Sequence, residues 1–386
     1  MRNAAPALRR LGEFIEECDE RNEGGNAYPT KGLNIDKAFM PTVANLENVD
    51  LHKYKIVRGK RFVFSGMQTG RDECIRLGLF NDEEPALISP AYITFEIKEG
   101  SDVLPDFIYI QFLRKEMDRR GWFLSDSSIR ANLDWNRFVD IEIPVPSLLV
   151  QKNIVDTWQG LRRMKEENEK LAEPLMQLCR SYLQDCKKKY PMVALGGAEG
   201  SDPLIASRDE RNEGGAYGVD SVRGVSIEKK LIPTKADMTG VGLKPYKLLN
   251  PLEFAVVPVT SRNGGRISLA MNSDSETYIV SSAYDVFRVS DITRLSPEYL
   301  YLLLCRSEFD RYARFNSWGS ARETFSWADM CRVKIPLPPT EVQRAIVDIY
   351  RCAKEVKTIA EEADRLSREI CLALVRFAAE SKEGER

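Results

Sequence analysis

Two short strings in this chain have the residue types of reaction centres. Ser89-Pro90-Ala91-Tyr92 has the shape of a loop that grips a target amine for methyl transfer, and Glu96-Ile97-Lys98 supplies half of the acid–lysine set of a metal-dependent nuclease. The first lacks a second proline and no glycine-rich cofactor loop precedes it, so it reads as the start of a strand. The second reads as an exposed strand. A single histidine, His52, removes serine–histidine catalysis and histidine metal sites by inventory. The 8 cysteines are scattered without a C-x-x-C pair, which points to free thiols in a reducing cytoplasm. No G-x-x-x-x-G-K-S/T loop is present to cradle nucleotide phosphates. The chemistry that is left is binding.

The residues best suited to binding are basic and amide side chains beside glycine-rich turns. Lys53, Lys55, Arg58, Lys60 and Arg61 form a basic run, followed by a turn carrying Gln68, Thr69, Arg71 and Arg76. In the second half, Lys244 and Lys247 precede a turn with Ser261, Arg262, Asn263 and Arg266. A further pair of polar segments holds Ser127, Ser128 and Arg130 in one half and Ser320 and Arg322 in the other. Arginine pairs with guanine edges and Gln or Asn with adenine, while lysine and serine mainly hold phosphate. With 56 Lys+Arg against 58 Asp+Glu the net charge is −2, so a DNA surface must be a local patch. For any one of these residues an ordinary solvated loop is the alternative reading.

The elements that position these residues occur twice. The heptapeptide D-E-R-N-E-G-G stands at Asp19–Gly25 and again at Asp209–Gly215. An offset of 192, which carries Phe62 to Phe254, also aligns Leu51, Tyr54 and Lys55 with Leu243, Tyr246 and Lys247. It further aligns Arg119 with Arg311, Arg130 with Arg322, Trp135 with Trp327, and I-P-V-P at Ile143–Pro146 with I-P-L-P at Ile335–Pro338. A tandem duplication follows, with each copy long enough to fold as its own domain. Short β-like runs (Lys60–Ser65 and Ala86–Ile97; Glu253–Val259 and Thr277–Val289) precede a helical piece (Pro105–Arg119; Pro297–Arg311), which predicts a mixed α/β globule. The proline segments must be extended.

A long helical pattern closes each copy. Ile154, Leu161, Asn168, Leu175 and Tyr182 recur every seven residues, with Met164, Leu171 and Leu178 interleaved. In the second copy the register runs through Ile346, Ala353, Ala360, Ser367 and Leu374, with Val342, Ile349, Val356, Ala363, Ile370 and Phe377 between. A bulky seam against a small one predicts that the two pack together, Asn168 fixing register and Pro174 kinking or dividing the first helix. The alternative is two amphipathic helices, each on its own globule. A 43% hydrophobic, 30% charged composition is that of a globular protein. No run of about 18 apolar residues predicts a membrane span, and the N-terminus lacks the apolar stretch of a signal peptide, so a cytoplasmic location is expected.

The order G/S-S-x-R-x-x-L/F, I-P-x-P, then V-Q-x-x-I-V-D opening a helix resembles the specificity subunits of type I restriction-modification enzymes. So does D-E-R-N followed by Val222–Ser226 and Ile232–Ala236. The two ordered sets cover essentially the whole chain. The resemblance implies an α+β chain: two pseudo-twofold-related α/β target recognition domains (1–146 and 191–338) separated by two long antiparallel coiled-coil helices (147–190 and 339–386). It implies a non-catalytic subunit that reads a bipartite site on double-stranded DNA. It also implies docking of two methyltransferase subunits and two restriction/motor subunits, with S-adenosylmethionine, ATP and Mg on those partners and no cofactor on this chain. D-E-R-N-E-G-G is then expected where a domain meets a helix, serving structure or docking and not base reading. A duplicated scaffold that docks proteins and no DNA is the alternative.

Overall fold

The computed structural model describes residues 8–67, 69–126, 131–197, 200–260, 265–319 and 322–383, without the side chains of 70, 71 and 371–383. The chain divides into two compact units, one of residues 1–169 with 358–386 and the other of residues 170–357. The first long helix, Leu148–Lys189, begins in the first unit and ends in the second; the other, Thr340–Glu383, does the reverse.

In the first unit, Phe62–Ser65 pairs with Ile93–Ile97 and with Arg76–Leu79 in an antiparallel sheet that Ile15–Glu17 extends. The alternation of apolar residues buries one face. Phe62 and Phe95 stack with ring centroids 4.7 Å apart, and Phe64 lies on Phe138 at 4.2 Å. Such pairs add about 1 kcal/mol beyond area burial. A second sheet orders Phe39–Pro41, Thr30–Leu33, Ala86–Ile88 and Lys55–Val57, with one parallel pair. Helices Pro105–Phe112 and Lys115–Leu124 follow, and Glu142–Pro144 closes the domain by pairing with Leu8–Arg10. Proline at the end of that strand keeps the chain extended until the long helix starts.

The second unit repeats the main sheet in the same order: Ile205–Arg208, Asp285–Val289, Phe254–Val256, Leu269–Met271. Phe254 and Phe287 stack at 4.7 Å, as their counterparts do. The second sheet is split into two antiparallel pairs, Arg223–Val225 with Leu231–Pro233 and Lys247–Leu249 with Tyr278–Val280, joined among the described residues by a parallel bridge at Val222–Ile279. Met192–Ala194 pairs with Lys334–Pro336.

Each long helix is fastened to a domain at its first turn by a buried glutamine. Gln151 donates to the carbonyls of Asp102 and Pro146 and accepts from Leu104 N–H; Gln343 does the same with Arg294, Pro338 and Ser296. Ile154, Val155 and Trp158 pack on Phe107 and Ile110 in the first unit. In the second unit Cys179, Leu183 and Cys186, from the end of the first helix, share a core with Ile346 and Val347 from the start of the other.

Several expectations for the helices need correction. Pro174 does not divide the first helix, which continues from Leu148 to Lys189. The interleaved residues Met164, Leu171 and Leu178, together with Tyr182, are exposed. The buried line runs instead through Gln151, Val155, Cys179, Leu183 and Cys186. Apolar character alone does not separate a packed face from an open one, and an amphipathic Lys165 faces inward by pairing with Asp364 at 2.8 Å in the first unit. Asn168 donates to Met164 O of its own helix, with no bond to the other helix among the described residues. In the second helix Ile346, Ala353, Ala360, Ala363 and Ser367 are buried in the expected register, while the side chains of Leu374 and Phe377 lie outside the described residues.

The repeated heptapeptide is a latch within each domain and does not sit at a helix junction. In the first unit Asn22 N–H donates to Tyr54 O and Ile56 N–H to Glu20 O, while the buried Asn22 amide bonds Asn26 O and Leu51 O. Asp19 pairs with Arg21 and with Lys55. In the second unit Asn212 repeats these bonds to Tyr246, Tyr217 and Leu243, and Asp209 pairs with Arg211 and Lys247. Gly25 and Gly215 adopt positive φ of 64° and 69° to turn the loop back under the asparagine. The two sequence-identical segments, D-E-R-N-E-G-G and L-x-x-Y-K, are the two halves of one contact.

Candidate nucleic-acid interface

The residues that flank the candidate turns lie far apart in sequence, and the fold brings them together at one edge of each domain. In the first unit the strand Phe62–Ser65 leads into the turn carrying Thr69 and Arg76, and Leu133 N–H, after the second polar segment, donates to Gly66 O at 2.9 Å. A Cβ on Gly66 would sit 1.8 Å from Leu133 O, so glycine is needed for this approach. In the second unit Phe325 N–H donates to Pro258 O at 2.8 Å, the equivalent bond, and Thr260 N–H adds a bond to Glu323 O. The helices Lys115–Leu124 and Ser307–Phe315 end at the same edges.

A buried ion pair braces each edge. Lys37 meets Asp118 at 2.6 Å and Lys229 meets Asp310 at 2.6 Å. The same carboxylates accept Ile75 N–H and Ile267 N–H, beside the two turns. Burial holds the Lys229 ammonium below its ordinary pKa, against the opposing pull of Asp310. Sequence reasoning missed both pairs. The signal was present, because lysine and aspartate recur at the 192 offset, but a single buried lysine has no periodic signature.

Of the predicted site residues, Thr69 is buried with its hydroxyl on Gly66 O, so it shapes the turn. Arg76 pairs with Asp72, and its Nε is buried without a hydrogen-bond partner among the described residues. Arg266, Arg322, Lys244 and Lys53 are exposed. Lys60 pairs with Asp106 at 2.8 Å, at the opposite end of the strand Phe62–Ser65 from the turn. Lys55 and Lys247 are drawn into the latch by Asp19 at 3.1 Å and Asp209 at 3.2 Å, so their ammonium groups serve the fold. Gln68, Ser127, Ser128, Arg130, Ser261, Arg262, Asn263 and Ser320 lie outside the described residues, as does the Arg71 side chain.

Beside the first edge lies a cleft of about 500 Å³ lined by Lys31, Thr42, Tyr54, Ser65, Arg76 and Tyr92, among others. Ser89-Pro90-Ala91-Tyr92 forms the turn before the strand Ile93–Ile97, with Tyr92 OH accepting from Leu33 N–H. Glu96 pairs with Arg61 at 3.1 Å. Among the described residues no cluster of His, Cys, Asp or Glu is arranged to hold a metal, and no helix is long and apolar enough to cross a membrane. Among the described residues, the second edge presents exposed Arg266 and Arg322 on a braced support and the first holds Arg76 paired with Asp72, chemistry suited to a polar, anionic surface.

Residues 255–355 match the model of the type I restriction modification DNA specificity domain. The matched segment runs from the strand that leads into the second edge, through both of its loops, into the long helix. Among solved structures, the type I restriction-modification S subunit from M. genitalium aligns over 96% of this chain and 97% of its own, with 14% identity and a TM-score of 0.55. The HsdS subunit from Thermoanaerobacter tengcongensis aligns over 97% and 98% with 16% identity and a TM-score of 0.42. No curated protein sequence matches.

Proposed function

We infer that this chain is the DNA sequence-specificity subunit of a type I restriction-modification system. The observation that carries the reading is the match to the DNA specificity domain over 255–355, which spans the edge assembled by the fold. The S subunit from M. genitalium supports the fold over the full length. In this reading each domain presents its edge to one half of a bipartite site on double-stranded DNA, and the long helices set the gap. Arg76, Arg266 and Arg322 meet bases or phosphates, with Lys53 and Lys244 at the flanks and Gln68, Arg71, Ser127, Ser128, Arg130, Ser261, Arg262, Asn263 and Ser320 as the remaining readers. Lys55, Lys60, Lys247 and Thr69 act indirectly, by holding loops.

The chain contributes no reacting group. Methyltransferase subunits, two per chain, carry S-adenosylmethionine and modify adenine; two restriction/motor subunits carry ATP and Mg. An exposed apolar line on the first long helix within the second unit, through Leu171, Leu178 and Tyr182, supports subunit docking there. The gap between half-sites then follows from how firmly Gln151 and Gln343 fasten the helices.

The test is to express the chain with its methyltransferase and map modified adenines across a genome. A split motif with a constant gap is expected. A continuous short motif, or no modification above that of the methyltransferase alone, contradicts the reading. DNA binding by the assembled complex should also weaken steeply with salt, as phosphate contacts require.

A further inference from the structure

We propose that Phe123 and Phe315 are aromatic wedges, one per domain, that stack into a base step of the bound duplex. The proposal rests on the DNA-specificity reading above and adds a contact that it does not contain.

The two residues are equivalent under the 192 offset, and both are phenylalanine. Phe123 is 86% exposed and Phe315 79% exposed. They sit at the ends of helices Lys115–Leu124 and Ser307–Phe315, at the edges where Leu133 meets Gly66 and Phe325 meets Pro258. Among the described residues both rings are almost wholly open, so core burial gives no reason for an aromatic there. Two further exposed aromatics flank them, Trp122 in the first domain and Trp318 in the second. Of the five strongly exposed aromatic residues among those described, only Tyr182 lies away from these two helix ends. Chance exposure would scatter them over the surface.

Charge selects the occupant. One helical turn before each phenylalanine stands an exposed arginine, Arg119 or Arg311, on the same helix face. Arg311 has no acidic partner among the described residues, and Arg119 reaches Glu116 only at 3.4 Å between exposed groups. Exposed Arg322 lies just past the second helix. An aromatic ring with a guanidinium beside it matches a base step and its phosphate. Apolar side chains inserted at such steps unstack and bend the duplex. The Lys37–Asp118 and Lys229–Asp310 pairs tie these same helices to the domain core, giving the rings a firm mount.

The experiment uses the full chain assembled with its methyltransferase and a duplex bearing the mapped bipartite site, with 2-aminopurine placed at successive positions of each half. The wild-type complex should raise fluorescence at one step in each half. Phe123→Ala should abolish the rise in one half only, and Phe315→Ala in the other. Each should weaken binding by about tenfold, the size of a lost base–aromatic stack. Phe123→Trp should retain both signals, and thermal melting of the free chain should be unaltered by any of the three. Alanine variants that leave fluorescence and DNA affinity unchanged overturn the proposal, as do variants that instead lose methyltransferase association. If the wild-type complex binds no specific site, the DNA reading itself has failed; if it binds without any unstacked step, only the wedge has.

Discussion

Replacing Gln343 with alanine should loosen the fastening between the second long helix and its domain, and the structure sets the scale. The side chain is fully buried and makes three hydrogen bonds, to Ser296 N–H at 2.8 Å, Arg294 O at 2.9 Å and Pro338 O at 2.8 Å. Each partner is a backbone group. A net loss of about 1 kcal/mol per bond gives about 3 kcal/mol. For a unit of this size that corresponds to on the order of 6–12 °C in melting temperature. Urea unfolding should report the free-energy change, and hydrogen exchange should show the loss concentrated at the start of the Thr340–Glu383 helix. A change below about 1 kcal/mol, or exchange that increases uniformly along the chain, would refute the fastening role. In the assembled complex the same variant should broaden the range of gaps accepted between half-sites without altering either half.

Asn22→Ala removes the buried amide that bonds Asn26 O and Leu51 O, and should cost about 2 kcal/mol in denaturant titration with no change in the recognised sequence. An altered base preference would return the heptapeptide to the reading surface. Lys229→Met strands the Asp310 carboxylate in the core and should cost about 3–5 kcal/mol, part of which the added Asp310→Asn should restore in a double-mutant cycle. The latch also predicts acid sensitivity. Hydrogen bonds from Arg21 and then Lys55 hold the Asp19 carboxyl below its usual range, as Arg211 and Lys247 do for Asp209. A depressed folded-state pKa stabilises above the unfolded value of about 3.9 and is lost as pH falls through the folded value. The melting difference between wild type and Asp19→Asn should therefore shrink as pH drops below about 4, and a difference that grows would contradict the assignment.

Much of this architecture was legible because duplication printed it twice. The 192 offset located equivalent strands, and the I-P-x-P segments were extended as proline requires. The second helix buries Ile346, Ala353, Ala360 and Ser367 in the register read from the sequence. In the first helix Ile154, Leu161, Asn168 and Leu175 are half-buried as the register requires, but Met164, Leu171, Leu178 and Tyr182 are open, because Lys165 and the cysteines at 179 and 186 take the inner face. The candidate site was legible as segments and not as a place. No periodicity says that Gly66 meets Leu133, or that Pro258 meets Phe325. A basic residue in a sequence does not show its partner, as with Lys55 and Asp19. The sequence does not single out Phe123 and Phe315, because exposure, which makes them informative, is a property of the folded chain alone.

The central claim is that each domain reads its own half of a divided site. Arg266→Ala and Arg322→Ala, both in the second domain, test it most directly when modified adenines are mapped for the assembled complex. The account predicts that base preference relaxes in one half while the other half and the gap stay as in the wild type. Relaxation of both halves together, or a recognised sequence with no gap, would contradict it.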